Sequence, residues 1–207
     1  MALAEAEIGI QHDAPGITRP MTYEEYVSGP EEMARYDILD GWKVYRLYGD
    51  KLLPSPTRQH QRIMGRLLRL FQDYEAASAQ GEAIAAPCDV EVTYQPLRSR
   101  QPDLLFISRE RLEQNAPSDE YAPLSPAPEL VVEIVSPSDT PSVLAAKMAD
   151  YQSVAVREVW VVRSGAETVE VLTLDDGASR IFGRGEMAAS RQFEGLTAPV
   201  DTIFEEN

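Results

Sequence analysis

The sequence predicts an α/β (α+β) domain with a central mixed β-sheet flanked by helices, an N-terminal β-hairpin and a C-terminal β extension. Three observations support this prediction. Residues 57–81 repeat apolar side chains at helical spacing, three short apolar runs follow, and a second helix pattern precedes a further apolar run. The sequence has neither a repeat nor a linker, so we expect one domain at residues 21–207 after a flexible tail at residues 1–20.

The first predicted elements are a short helix in "MTYEEYVSG" and the hairpin in "RYDILDGWKVYRLYG". Asp40-Gly41 is a strong signal for a two-residue turn, and it stands between runs rich in Ile, Leu, Val and Tyr. The long helix after them has apolar residues on one face and Gly81 just after its predicted end. Its opposite face carries four arginines: Arg58, Arg62, Arg66 and Arg69.

The strands of the sheet are predicted in "CDVEVTY", "PDLLFIS", "ELVVEIV" and "REVWVV". Prolines in "NAPSDEYAPLSPAP", between the second and third of these runs, indicate a loop. Thr140 can cap the second long helix and Pro141 suits its first turn, so this helix should extend to about Tyr151. The segments "ETVEVLTLDDG" and "RIFGRGEM" and a terminal "PVDTIF" form the C-terminal extension.

Composition restricts the functions that the chain can have. Its 34 Asp and Glu residues exceed its 19 Lys and Arg residues, and the net charge of -15 counts against nucleic-acid binding by bulk electrostatics alone. Any phosphate-binding surface must therefore be local. Cys88 is alone, so no internal disulfide is possible, which fits a cytoplasmic location, and no apolar run is long enough to predict a membrane span.

Three residues with unusual positions suggest a metal site. Glu133 interrupts the apolar run "ELVVEIV", where a buried carboxylate is costly unless a cation, a proton or a basic partner compensates it. Asp103 begins the preceding strand, so two carboxylates could converge on Mg²⁺ or Mn²⁺. Lys147 lies on the apolar face of the second long helix and would point towards the strands. Each residue alone has an ordinary explanation: an acid can begin a strand or face solvent from an edge, and a lysine can cover apolar surface while its head reaches water. A contact between Glu133 and Lys147 explains the burial of both better than these separate explanations do.

This trio suits metal-assisted hydrolysis of a phosphodiester, in which the acids hold the ion and the lysine orients water or stabilises developing charge. The arginine face of the long helix could contact phosphates, although an ordinary solvated helix face is the more common explanation. His60 falls on the apolar face of the same helix. That position favours a core or supporting histidine over a catalytic base, and both remain open.

Several segments, taken together and in this order, resemble the Uma-two family of restriction endonucleases within the PD-(D/E)XK nuclease superfamily. They are "MTYEEY", "RYDILDG", "PSPTRQHQRIMGRLLRL", "QPDLLFIS", "PELVVEIVSPS", "KMADY", "REVWVV" and "GLTAPVDTIF". The resemblance implies a core of helix, three strands, helix and strand. It also implies that Asp103 and Glu133 bind the metal, with the carbonyl of Ile134 as a further ligand.

Several positions depart from the pattern of that family, among them Trp42, Val159 and Arg163. Superfamily members commonly carry the lysine two residues after the glutamate, where this chain has Val135, and the resemblance supports Lys147 as the displaced lysine. Relatives tend to have Glu where this chain has Asp37, which is a possible accessory acid.

The sequence therefore predicts a Mg²⁺- or Mn²⁺-dependent endonuclease acting on DNA, with a homodimer as a possible assembly. Two alternatives stay open. One is a catalytically inactive module of the same fold that binds a protein partner, which the net charge favours. The other is metal-dependent hydrolysis of a different phosphate ester.

Overall fold

The structure, a computed structural model, describes residues 19–29, 36–45, 47–48, 51–52, 57–114, 122–135 and 139–205. The tail predicted at residues 1–20 lies outside these ranges except for its last two residues, and part of the predicted proline-rich loop does too. The helices are α1 (Tyr23–Val27), α2 (Arg58–Ser78), α3 (Arg109–Gln114), α4 (Pro141–Ser153) and α5 (Val200–Ile203).

The strands occur in two groups along the chain. Before α4 they are β1 (Tyr36–Leu39), β2 (Trp42–Tyr45), β3 (Leu47–Tyr48), β4 (Lys51–Leu52), β5 (Gly81–Ala85), β6 (Val90–Thr93), β7 (Arg98–Arg100), β8 (Leu104–Ser108) and β9 (Leu130–Val135). After α4 they are β10 (Glu158–Arg163), β11 (Thr168–Thr173), β12 (Ser179–Phe182), β13 (Met187–Ala189) and β14 (Thr197–Pro199).

A six-stranded sheet in the order β12-β11-β10-β9-β8-β5 forms the centre of the fold. Strands β9 and β10 are parallel and the other neighbours are antiparallel, so the sheet is mixed. Residues Ile63, Leu67 and Phe71 of α2 pack in the core on one face, whereas Tyr151 of α4 packs in the core on the other. The predicted fold class, a central mixed sheet flanked by helices, is confirmed.

The two long helices begin where their capping residues indicate. The Thr57 side chain accepts a hydrogen bond from the His60 amide at 3.2 Å, which satisfies one free donor at the start of α2. Thr140 does the same for the Val143 amide at 3.3 Å, and Pro141 occupies the first turn of α4. Helix α4 continues two residues beyond the predicted end at Tyr151.

The prediction that "CDVEVTY" supplies a strand of the central sheet is wrong. Strand β6 within it belongs to a separate four-stranded sheet, in the order β2-β1-β7-β6, together with the predicted hairpin. The place beside β8, at the edge of the central sheet, belongs to β5, whose sequence GEAIA has one β-branched residue and therefore gives a weak strand signal. Gly81 is required there because a Cβ atom would lie 2.1 Å from the Ile107 carbonyl oxygen.

Helix α1 is attached to the small sheet through Asp89, directly before β6. The Tyr26 hydroxyl donates to one Asp89 oxygen, and the Ser99 hydroxyl donates to the other at 3.2 Å. Burial is the largest influence on this carboxyl and raises its pKa above the ordinary value of 3.8.

Among the described residues, no helix combines the length and the apolar character of a membrane span.

The raised pKa predicts how Asp89 affects stability as pH changes. Between pH 3.8 and the higher pKa in the folded protein, the folded state binds more protons than the unfolded state. The free energy of unfolding therefore falls as pH rises through the folded pKa. Asp89→Asn lacks this titrating group. We therefore expect the difference in melting temperature, variant minus wild type, to become more positive from pH 4 to pH 7 in calorimetry. Parallel melting-temperature profiles would contradict this prediction.

Candidate active site

Glu133 lies in the middle of β9, and two residues of α4 hold its carboxylate. Lys147 Nζ is 2.6 Å from Glu133 Oε2, and the Tyr151 hydroxyl donates to Oε1 at 2.6 Å. The Glu133 and Lys147 side chains are each only 3% exposed, and Tyr151 is fully buried. The acid that interrupts the apolar strand therefore has a basic partner and a hydroxyl partner inside the core.

The local structure explains why these three side chains meet. Residues four apart on a helix share a face, so Lys147 and Tyr151 point in the same direction from α4. Side chains alternate along β9: Val132 packs in the core on the α2 side, and Val131 packs in the core that contains Tyr151. Glu133 shares the face of Val131 and is thus directed at α4.

Asp103, directly before β8, lies beside Glu133 in the neighbouring strand. The register pairs Leu104 with Val132, and the Asp103 amide donates to the Val132 carbonyl at 3.0 Å. Continued by one residue, this register places Asp103 opposite Glu133. Asp103 is fully buried and its Oδ2 accepts a hydrogen bond from the Ile134 amide at 2.7 Å. Two carboxylates from adjacent strands are thereby held at the same end of β8.

His60, in the first turn of α2, approaches Asp103 from the side opposite α4. Its Nε2 is 3.1 Å from Asp103 Oδ1, and its side chain is 10% exposed. The buried Nδ1 atom has no hydrogen-bond partner within the described residues. This geometry favours a histidine that supports the acid, and a catalytic part for His60 stays a prediction.

The possible accessory acid Asp37 lies in a second, partly buried cluster, centred on Arg100. Arg100 Nη1 is 2.9 Å from Asp37 Oδ2, and the Gln101 amide donates to Asp37 Oδ1 at 3.1 Å. Arg100 also donates to Asp150 Oδ2 from Nε at 2.7 Å. Asp37 therefore joins the hairpin to β7 and, through Arg100, to α4 at the residue next to Tyr151.

Arg100, Asp150 and Tyr151 have no place among the site residues predicted from the sequence. Tyr151 follows Lys147 by four residues in "KMADY", and this spacing was the available signal for a residue that shares the lysine's target. The sequence contains no comparable signal for Arg100 and Asp150, because a charged residue in a short polar strand or on a helix usually contacts solvent.

The four predicted phosphate-binding arginines differ in their surroundings. Arg66 is partly buried and donates to the Ile203 carbonyl at 3.3 Å, whereas Arg58, Arg62 and Arg69 are exposed. Within the described ranges, no acidic side chain contacts these three. Arg58 and Arg62 lie two residues before and after His60 on α2 and, at about 100° per residue, on the opposite side of the helix from it, while Arg69 is about 10 Å farther along the helix axis than Arg62.

Asp103 and Glu133 carry the ligand type that a hard divalent cation prefers. Mg²⁺ is usually bound by one or two carboxylates and several waters, and both carboxylates here come from neighbouring strands. The Lys147 ammonium offsets one of the two negative charges. Among the described residues, no group of three or more His, Cys, Asp or Glu side chains could hold a metal ion. A cation here would therefore depend on the two acids, a backbone carbonyl such as that of Ile134, and water.

Comparisons with known proteins agree with this architecture. The family model Uma2, described as "Putative restriction endonuclease", matches residues 30–201. A crystal structure from Anabaena variabilis ATCC 29413, described as "a putative nuclease belonging to DUF820", matches with a TM-score of 0.68 at 16% sequence identity, over 89% of this chain and 98% of that chain. No curated protein matches the chain. The resemblance predicted from the sequence motifs is confirmed: the chain belongs to the Uma2 family.

Proposed function

We propose that this chain is a metal-dependent endonuclease that hydrolyses DNA phosphodiester bonds. The observation that carries the proposal is the buried Glu133 carboxylate, held by Lys147 and Tyr151 and placed beside Asp103. Buried ion pairs are a poor way to stabilise a core, because apolar residues of similar volume are often neutral or stabilising replacements. A chemical role therefore explains this cluster better than a structural role does.

Each residue of the cluster has a definite part in the proposal. Asp103 and Glu133 would hold Mg²⁺ or Mn²⁺ together with the Ile134 carbonyl. A divalent cation bound there polarises a phosphate and lowers the pKa of a bound water. Lys147 orients the attacking water or stabilises the charge that develops on the phosphate. His60 fixes one Asp103 oxygen through its Nε2 contact.

The direct test is incubation of the purified protein with supercoiled plasmid and with single-stranded circular DNA, in Mg²⁺ or Mn²⁺. We expect nicking or linearisation of at least one substrate, abolished by EDTA. Circular substrates have no ends, so their cleavage establishes an endonuclease. Failure to cleave either DNA with either metal would contradict the proposal and favour the module that binds a protein partner.

We further propose that Arg58 and Arg62 contact substrate phosphates beside the acids. No Asp or Glu occurs between Arg58 and Gln72, in a chain that has 34 acidic residues, so this helix face is locally basic. Both side chains are exposed and lie about 3 Å along the helix axis from His60, which contacts Asp103 from the buried face of α2. Arginine suits this task because its planar guanidinium can donate two parallel hydrogen bonds to a phosphate.

Replacement of both arginines, in Arg58→Gln/Arg62→Gln, should weaken DNA binding to a similar extent for all sequences. Each lost phosphate contact reduces the slope of log affinity against log salt by about 0.9, so we expect a slope smaller by about 1.8. Fluorescence anisotropy in EDTA measures binding without cleavage. Arg180→Gln is the matched control, because Arg180 is exposed on the edge strand β12, and it should leave the slope unchanged. Equal slopes for the double variant and wild type would contradict the assignment.

A further inference from the structure

Arg163, the last residue of β10, lies on the same face of the central sheet as Glu133. The register pairs Arg163 with Val135 of β9, which is two residues beyond Glu133 in that strand. Side chains two residues apart in a strand share a face. Val161, two residues before Arg163, identifies this face, because it packs in the same core as Tyr151 of α4. Arg163 therefore lies beyond Glu133, at the end of the sheet where β9 and β10 finish.

This end of the sheet is the route by which a substrate reaches the two buried acids. Helix α2 packs against one face of the sheet and α4 against the other, so approach is along the strands. Asp103 lies directly before β8 and Glu133 lies near the end of the antiparallel β9, so both are closest to the same end. The Arg163 side chain is 36% exposed there and is therefore accessible to a substrate.

Glu170 of β11 determines where the Arg163 guanidinium lies. Arg163 Nη1 donates to Glu170 Oε2 at 2.8 Å, across a diagonal of the antiparallel pair β10 and β11. The Glu170 side chain is 20% exposed. An ion pair near the surface typically contributes little to stability, because water and salt screen it. The Glu170 carboxylate is thus a partner that another anion can replace.

The register also gives the approximate distance of this guanidinium from the acids. Val161 pairs with Glu133 on one side and with Glu170 on the other, so Glu170 is two strands away from Glu133 in the same row. Neighbouring strands are roughly 4.8 Å apart, which places the two glutamates roughly 10 Å from each other. A DNA strand carries one phosphate about every 3.4 Å along the helix axis. A guanidinium held at Glu170 is therefore spaced for a phosphate about three nucleotides from the one at the acids.

We propose that Arg163 contacts a DNA phosphate that flanks the scissile one, and that Glu170 holds the Arg163 guanidinium when no DNA is bound. This inference rests on the proposed function, because it requires a DNA strand at Asp103 and Glu133. It goes beyond that function in giving the strand a direction, from the acids across β10 and β11. Arginine suits the contact because its planar guanidinium can donate two parallel hydrogen bonds to a phosphate.

The test is fluorescence anisotropy of labelled duplex DNA in EDTA, with the wild type, Arg163→Gln and Glu170→Gln. Loss of one phosphate contact reduces the slope of log affinity against log salt by about 0.9, which corresponds to about tenfold weaker binding at about 50 mM salt. We expect this result for Arg163→Gln. Glu170→Gln should bind DNA about 2–5-fold more tightly than the wild type, because no carboxylate then competes with the phosphate for the guanidinium.

Arg191→Gln is the matched control. Arg191 Nη2 is 3.7 Å from Asp176 Oδ2 in a pair that is also exposed, beyond the opposite end of β11. Its replacement removes the same charge from the chain and should leave both the affinity and the salt slope unchanged. An effect of Arg191→Gln as large as that of Arg163→Gln would show a general effect of net charge and would overturn the assignment.

Cleavage of supercoiled plasmid by the wild type, measured in Mg²⁺ and in Mn²⁺, separates this inference from the proposed function. Plasmid cleavage together with equal salt slopes for Arg163→Gln and wild type would overturn the phosphate contact and leave the nuclease proposal standing. Unchanged or weaker DNA binding by Glu170→Gln would overturn the competition between Glu170 and the phosphate. A wild type that neither binds DNA nor cleaves it would overturn both proposals.

Discussion

Replacement of Glu133 by glutamine is expected to reduce DNA hydrolysis by at least about 100-fold, which is the scale on which charge-stabilising groups of an active site contribute. Glutamine keeps the shape of the side chain but lacks the negative charge that would hold a cation. The variant also leaves the Lys147 ammonium in the core without its carboxylate partner. We therefore expect a lower free energy of unfolding together with the loss of activity.

A matched control separates these two effects of Glu133→Gln. Glu158 is also a buried glutamate in the central sheet, 1% exposed, where it accepts hydrogen bonds from Trp160 Nε1 and the Arg191 amide. Glu158→Gln should lose stability and retain hydrolysis at a temperature well below its melting transition. Equal activity of Glu133→Gln and wild type in a plasmid-nicking assay would contradict the assigned role.

Replacement of Lys147 by methionine is expected to lower the free energy of unfolding by about 3–5 kcal/mol, because it leaves the Glu133 charge buried without its basic partner. Methionine fills a similar volume, so the loss comes mainly from the charge. The double variant Glu133→Gln/Lys147→Met has neither charge and should be more stable than either single variant. Urea denaturation at pH 7 measures all three free energies.

Lys43→Met is the matched control for this cycle. The Lys43 ammonium lies 4.6 Å from the centre of the Tyr36 ring in the small sheet, so its removal should cost about 0.5–1 kcal/mol. Strict additivity of the Glu133 and Lys147 substitutions would contradict a direct interaction between the two residues. Full DNA hydrolysis by Lys147→Met would contradict its proposed part in the reaction.

Much of the fold could be predicted because its signals are local. The start of α4 followed from Thr140 and Pro141, and the hairpin followed from Asp40-Gly41. Strand β5 escaped prediction because Gly and Ala residues give little strand propensity, although this strand pairs with β8 over its whole length. The placement of β6 in a second sheet depends on pairing between distant strands, which periodicity does not encode.

The candidate site could be predicted only where a residue conflicts with its surroundings. Glu133 and Lys147 are charged residues in apolar patterns, and the structure places Lys147 Nζ 2.6 Å from Glu133 Oε2. Tyr151 shows no such conflict, because a tyrosine on the apolar face of a helix is ordinary core. Asp37 was assigned from the family resemblance, and its contact with Arg100 depends on the tertiary fold. The homodimer, the cytoplasmic location and the roles of the site residues stay predictions.

The most direct test of the proposed metal site is calorimetric titration of Mn²⁺ into the wild type and Asp103→Asn, because it requires no choice of substrate. Asparagine keeps an oxygen that can accept from the Ile134 amide but removes the charge. If the two acids hold the cation, Mn²⁺ binds to the wild type and its binding is lost in Asp103→Asn. Equal binding to both proteins, or no binding to the wild type, would contradict it.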